Sequence, residues 1–383
     1  MGKSLKINFL LKSVLITAIL LLQACLFYPK ITISGKGNLR LKQVDFESLD
    51  AWKEDDHKKA LQAFIHSCSK FSKMAQNRLI GGQIGEITVG DFRDVCEIAQ
   101  VVKTMSAKQI KNFFENWFKP FLVETRAGKS GGVFTGYYEA SLNGSKVRTE
   151  KFKYPIYAKP NDLAADPYLS RKEIEDGALK DKHLELLYVD DKIDLFFMHI
   201  QGSGRVKMPD GVELRVAYAG RNNQPFTAVA NYMLDHGMLE RGNLNSATVK
   251  EWMKNNLDKA DEVMNVNAAY TFFKISDGEY VVGGQGVPLT QERSLAIDSD
   301  VIPYGFPMWV ETSLKKNGVL LKEKYSHLFV AQDTGSAIKG IVRGDIFFGY
   351  GKEAEEKAYY MASQGKYFIL LPINIVDKIT NTR

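Results

Sequence analysis

From Gly131 onward the chain is cut into short apolar or alternating runs, separated by Gly, Asn, Asp and Pro. The runs fall at 132–138, 153–158, 194–200, 213–218, 270–275, 279–282, 307–312, 326–331, 345–350 and 366–371. Many short strands at such spacing belong to β-barrels and sandwiches. Helical periodicity interrupts them at 224–236, 247–257 and 352–363. Three helical patterns precede them. Leu61, Phe64, Ile65, Cys68 and Phe71 recur over 57–75, and Phe92, Val95, Cys96, Ala99 and Val102 over 91–103. Over 106–118, Ser106 and Gln109 make a capping box ahead of the stripe Ile110, Phe113, Phe114 and Trp117. A length of 383 residues allows two domains or one elaborated domain. With 45% hydrophobic and 25% charged residues, disordered, collagen-like, coiled-coil and polytopic membrane classes are excluded. No internal repeat is present.

The first residues read as a secretory signal. Lys3, Lys6 and Lys12 are basic, no acid precedes Asp45, and Val14 to Leu22 is an apolar run. That run is far shorter than the roughly 20 residues needed to span a bilayer. It ends in Leu22-Gln23-Ala24-Cys25, which resembles the bacterial lipobox, with Gln23 in place of the usual small residue. Cys25 is the expected lipidation site. Leu26 in place of Asp favours the outer membrane under the usual bacterial sorting rule, so the expected product is an outer-membrane lipoprotein facing the periplasm. Loss of residues 1–24 removes three lysines and no acid, which takes the net charge from +6 to +3. This is too weak a charge for a nucleic-acid binder. Cys68 and Cys96 either form a disulfide, which an oxidising compartment permits, or stay as buried free thiols. Two cysteines and six histidines show no zinc spacing, and neither a metal nor a cofactor is expected.

Three segments carry candidate chemistry. In 331–351, AQDTGSAIKGIVRGDIFFGYG, Asp333 and Asp345 each lie where an apolar strand meets a glycine-rich turn, with Lys339 and Arg343 between them. Carboxylates beside glycines suit a substrate groove, although a lone Asp beside Gly is more often a turn or cap. In 196–204, FFMHIQGSG, Gln201 and Ser203 follow what reads as a fully apolar strand. Within 133–139, VFTGYYE, Tyr137 and Tyr138 suit either sugar stacking or core packing.

These segments belong to an ordered set of motifs. Thr135-Gly136-Tyr137-Tyr138 is followed by Tyr154-Pro155-Ile156-Tyr157, then Ser170-Arg171 with Glu173-Ile174 and Gly177-Ala178-Leu179. Next come Phe197 through Gly204 and Tyr218-Ala219-Gly220-Arg221-Asn222. Gly286 through Thr290, Arg293-Ser294-Leu295-Ala296 with Asp298, Ile302-Pro303-Tyr304-Gly305 and the 331–351 segment complete the set. In this order the chain resembles the membrane-bound lytic murein transglycosylase A family over about 135–370. Ser336 stands where the common pattern has a second glycine, and Glu139-Ala140 follow the tyrosines where many relatives differ.

The resemblance implies a mainly β fold with N-terminal helices. In it a double-psi β-barrel, related to barwin and expansin domains, carries a second, inserted β-domain, with a groove between the two. Carried onto this chain, 1–24 is the signal peptide and 25–44 the lipidated cysteine and tether. The barrel domain with its helical N-terminal part takes 45–138 and 279–383, and the insert takes 139–278. The implied activity is non-hydrolytic cleavage of the β-1,4 bond between N-acetylmuramic acid and N-acetylglucosamine in peptidoglycan. Ordinary glycosidases need two carboxylates. Here the sugar's own 6-hydroxyl attacks C1, and one Asp serves as acid and base in turn. The matching acid is Asp345, with Asp333 as a supporting acid, and Thr135, Tyr137, Tyr138, Gln201, Ser203 and Lys339 as substrate contacts. A carboxyl must hold a proton to begin, so Asp345 is expected to be desolvated and its pKa raised. A nearby Lys339 or Arg343 would oppose that. Expected partners are peptidoglycan glycan strands, outer-membrane lipid through Cys25, and cell-wall synthesis or remodelling proteins. Two other readings keep the same fold: a non-catalytic, expansin-like peptidoglycan-binding lipoprotein, and a hydrolase pairing Asp333 or Glu139 with Asp345.

Overall fold

The computed structural model describes residues 30–381 except 81, 164–166, 241–243 and 317–318. The expected signal peptide and Cys25 lie outside the described residues. The chain opens with β1 (Thr32–Ser34) and β2 (Leu39–Gln43). Part of the stretch read as a tether is therefore sheet, because Ile33, Leu39 and Leu41 alternate onto a buried face.

Three helices follow. In α1 (His57–Phe71) the Asp56 side chain accepts the Lys59 amide, and Leu61, Phe64, Cys68 and Phe71 are buried. α2 (Arg93–Val102) is joined to α1 by a Cys68–Cys96 disulfide, which settles the pairing that the sequence left open. α3 (Ala107–Trp117) starts at the Ser106–Gln109 capping box. Phe64, Phe113, Phe114 and Phe118 meet edge-on or tilted beneath these helices, with ring centroids 5.1–6.4 Å apart.

The sheet system begins with β3 (Phe118–Thr125) and the long β4 (Gly132–Ser145), then β5 (Tyr154–Tyr157), β6 (Glu185–Val189) and β7 (Ser203–Lys207). It continues with β8 (Glu213–Arg221), β9 (Thr271–Ser276), β10 (Ser294–Ala296), β11 (Pro307–Lys316) and β12 (Val319–Asp333). It ends with β13 (Arg343–Tyr350) and β14 (Ala362–Pro372). Six strands close on themselves: β4 pairs β13, β13 pairs β10, β10 pairs β12, β12 pairs β11, β11 pairs β14, and β14 returns to β4. The β4–β13 and β10–β12 contacts are parallel and the other four antiparallel. This is the double-psi barrel. Closure leaves no open end within this ring of six strands.

β4 is long enough to serve two sheets. Val133 to Glu139 pair with β13, Ala140 to Asn143 pair with β7, and Gly144 and Ser145 pair with β6. The β7–β8–β9 sheet therefore grows directly out of a barrel strand. The helix α4 (Lys192–Gln201) packs on β4, β7 and β9, and α5 (Val229–Asp235), α6 (Ser246–Asn255) and α7 (Leu257–Val266) pack on one another, with α6 also against α4. The chain closes with α8 (Lys352–Tyr360), β14 and α9 (Ile373–Asn381).

Two sequence expectations fail. The run 194–200 lies inside helix α4, not a strand. Asp191 caps the helix by accepting the Asp194 amide, and Gly202 ends it at φ 83°. Six of its residues, from Ile193 to His199, are buried, and a segment apolar on every face carries no period to separate helix from strand. The run 279–282 is not a strand either. Of it, only Val282 makes a β-bridge, to Pro288.

Candidate active site

The site is made where β10 sits between β12 and β13. Ala296 is the register partner of Asp333 on one side and of Asp345 on the other. Two inter-strand spacings of about 4.8 Å place the two acids roughly 10 Å apart at Cα. On the far side of β13, Asp345 lies opposite Thr135 of β4. The Thr135 hydroxyl donates to Asp345 Oδ1 at 2.5 Å and accepts from Arg343 Nη2 at 2.8 Å. Arg343 thus meets the carboxyl through Thr135, and its Nη1 is held by the carbonyls of Val133 and Gly344. Two residues along β4, the Tyr137 hydroxyl donates to Asp333 Oδ2 at 2.6 Å. The amides of Gly284 and Thr334 both donate to Asp333 Oδ1 at 2.8 Å.

Both acids are half-buried. Burial lifts the pKa of Asp345 above the ordinary carboxylate value. The Arg343 charge and the Thr135 hydrogen bond oppose that rise, and the Asp333 charge adds to it. Burial also raises Asp333, against its bonds from Tyr137, Gly284 and Thr334. Tyr137 is pushed well above the usual phenol range by burial and then by Asp333, so it stays a hydrogen-bond donor. Two carboxyls with raised pKa and a neutral phenol are thus held within one cluster. That arrangement can give a proton to a bound oxygen and take one back.

A groove of about 1160 Å³ runs beside the cluster between the barrel strand β13 and the β7–β8–β9 sheet. Gln62 and His66 of α1, Thr290 and Gln291, and Leu214 with residues 275–281 line it. Glu139, Arg205, Arg215, Phe347 and Tyr350 also line it. The acids themselves do not line this cavity. It meets them at Phe347, whose ring lies 5.3 Å from that of Tyr137. The fully buried Glu139 binds Arg205 at 2.7 Å and Arg215 at 2.5 Å, tying β4 to β7 and β8. Arg205 in turn lies 3.9 Å over the Tyr350 ring.

The sequence candidates separate cleanly. Asp345, Asp333, Thr135 and Tyr137 come together. Tyr138 alternates to the other face, is 3% exposed, and bonds Glu355 and Tyr359 of α8, so it is not presented to the groove. Gln201 accepts the Tyr138 amide at 3.0 Å, and Ser203 is buried on β7. Lys339 pairs with Asp298 and Asp300 at 3.0 and 2.9 Å. Sequence reading missed Phe347 and Tyr304. Tyr304 lies in a motif already noted, and its hydroxyl would be 2.6 Å from a Cβ at Gly284, so only glycine fits there. The buried Glu139–Arg205–Arg215 set had no sequence signal beyond the types of its residues.

The family model described as the MltA specific insert domain matches residues 133–274, and that of the 3D domain matches 293–371. The chain is 33% identical over 240 residues to membrane-bound lytic murein transglycosylase A of Escherichia coli K12. That match covers 62% of this chain and 65% of the relative, just under two thirds of its length. The crystal structure of MltA from Neisseria gonorrhoeae in its monoclinic form is 34% identical, with a TM-score of 0.73. That similarity covers 90% of this chain and 96% of the other. A membrane-bound lytic murein transglycosylase from Agrobacterium tumefaciens has a TM-score of 0.79 at 29% identity, covering 88% and 99%. With both family models in chain order and a 34% identical relative matched almost end to end, the chain belongs to the membrane-bound lytic murein transglycosylase A family.

Proposed function

We propose that this protein is a peptidoglycan lytic transglycosylase. It cleaves the β-1,4 bond between N-acetylmuramic acid and N-acetylglucosamine and leaves 1,6-anhydromuramic acid ends. The observation that carries the reading is Asp345: a half-buried carboxyl, raised in pKa by burial, hydrogen-bonded by Thr135, in a cluster that a groove of about 1160 Å³ reaches at Phe347. The relatives' names, which speak of lytic murein transglycosylase, support the same chemistry.

In this reading Asp345 starts protonated and gives its proton to the glycosidic oxygen as the bond to C1 breaks. The resulting carboxylate then takes the proton of the muramic acid 6-hydroxyl as that oxygen bonds to C1. The proton count closes and no water is consumed. The nucleophile is tethered to the reacting carbon, so its effective concentration is high without a second protein carboxylate. Thr135 stabilises the carboxylate formed midway. Asp333, held by Tyr137 and two amides, favours the protonated state of Asp345 at the start. Phe347 and Tyr137 offer apolar ring surface to the sugar at the cleavage point. We assign Cys25 as the lipid-bearing residue and the periplasmic face of the outer membrane as the location, in line with relatives named as membrane-bound.

Digestion of purified sacculi with residues 26–383 and with Asp345→Asn, followed by mass spectrometry, tests the proposal. Anhydro-muropeptides from the wild type only are expected. Reducing muramic acid ends would move the reading to a hydrolase. Binding of sacculi without products would move it to an expansin-like module.

A further inference from the structure

A buried polar network behind β12 reaches from the N-terminal helices to the acid cluster. Gln332 precedes Asp333 and faces the opposite side of the strand, toward α1. It is fully buried, and its Nε2 donates to the Ala63 carbonyl at 2.7 Å and to Ser67 Oγ at 2.9 Å. Its Oε1 accepts from Ser294 Oγ at 2.6 Å, and its backbone carbonyl accepts the Gln285 amide at 3.0 Å. Ser67, also fully buried, donates to Gln285 Oε1 at 2.8 Å. Gln285 directly follows Gly284, whose amide donates to Asp333. A Cβ on Gly283 would fall 2.5 Å from the Gln332 carbonyl, so this loop is pressed against β12 where only glycine fits.

We infer that Ser67, Gln285 and Gln332 are positioning residues that carry the placement of α1 to the Gly284 amide, and through it to Asp333. This inference rests on the transglycosylase reading above. The network has the marks of a set built to hold one position. Among the described residues Gln285 Nε2 is buried without a hydrogen-bond partner, so its amide is held by Oε1 alone, through Ser67. Loss of that bond leaves both ends of the buried Gln285 side-chain amide unsatisfied, a cost that favours its displacement. Ser67 is also the residue before Cys68, which the disulfide ties to α2, so the anchor of the network is fixed covalently at its next residue. The N-terminal helices thus belong to the site rather than merely covering the barrel.

Among the described residues, the titratable groups that interact with Asp333 are Tyr137 on β4, Tyr304 on the loop after β10 and Asp345 on β13, the last also facing Arg343. Loss of the Gly284 bond removes one of the contacts that hold the Asp333 pKa down. Asp333 then keeps its proton to higher pH, and its negative charge no longer favours a protonated Asp345.

The test compares Ser67→Ala, Ser67→Thr and Gln285→Met in the soluble chain 26–383, scoring anhydro-muropeptide release from sacculi across pH. For Ser67→Ala and Gln285→Met, kcat is expected to fall about tenfold with KM within about twofold, the size of one lost charge-linked hydrogen bond. The alkaline limb of the profile is expected to move to lower pH, and Ser67→Thr to restore both. A lower Tm with an unmoved pH profile would make the network structural only and overturn the inference. Unchanged kcat in both variants would do the same. Should either variant fail to fold, the other, with Ser67→Thr as the folded control, still decides. Absence of anhydro products from the wild type would instead refute the transglycosylase reading itself.

Discussion

Replacing Thr135 by Val keeps the shape of the side chain and removes the hydroxyl that donates to Asp345 at 2.5 Å. A hydrogen bond to a charged group is worth about 1.5–3 kcal/mol, and about 1.4 kcal/mol corresponds to one pKa unit. The bond favours the carboxylate, so its loss raises the Asp345 pKa further. The acid form then persists to higher pH, and the alkaline limb of the kcat profile should move up by about one to two in pH. At neutral pH kcat should still fall, because the same hydroxyl stabilises the carboxylate formed after proton donation. Rates of anhydro-muropeptide release between pH 4 and 9, with Tm recorded at each pH, separate these effects. Arg343 loses its 2.8 Å acceptor in the same variant. If the guanidinium swings onto Asp345 instead, the limb moves to lower pH. An acidward or unmoved limb would refute the view that Thr135 sets the protonation of Asp345.

Asp345→Asn should abolish anhydro products while raising stability at pH 7. A carboxyl with a raised folded-state pKa binds more protons in the folded chain, so stability falls as pH rises from about the unfolded value of 3.8 through the folded one. Asparagine removes that loss, and its Tm advantage should vanish near pH 3.5; an equal Tm at pH 7 would contradict the raised pKa. Tyr137→Phe deletes the donor to Asp333 and keeps the ring on Phe347, so kcat should fall about 10- to 100-fold with KM little changed. A KM-only effect in steady-state kinetics would make Tyr137 a plain sugar contact. The Cys68→Ser/Cys96→Ser pair opens a loop of sequence separation 28, and urea unfolding should show a loss of about 3.5 kcal/mol by the chain-entropy relation. A loss below about 1 kcal/mol would mean that packing of α1 on α2 already restrains the unlinked chain.

The chain's punctuation made the β character and the N-terminal helices legible, because glycine, proline and alternation report local backbone demands. The two acids were legible too, since each sits at a strand end beside glycines. What binds Asp333 to Tyr137, or Asp345 to Thr135, was not legible, because register across a barrel is a tertiary fact with no local trace. Alternation along β4 implied that Tyr137 and Tyr138 face opposite ways, but only the pairing with β13 says which faces the acids. The helix α4 defeated the sequence reading for another reason: most of its side chains are apolar and buried, so the run shows neither period. Glu139 read as a possible second acid for a hydrolase, and only the two arginines from β7 and β8 explain its burial.

The pairs that make the site join parts of the chain made far apart in time. Thr135 and Asp345 are 210 residues apart, and Tyr137 and Asp333 are 196 apart. β4 must wait for β13 and β14 before the barrel can close, so ring closure carries a large loop entropy and the contact order is high. A chain emerging from its N-terminus can assemble helices and the insert early. It cannot bring Asp345 to Thr135 until nearly all of its length has appeared. The acid pair is thus a late folding product, complete only once β13 has joined β4.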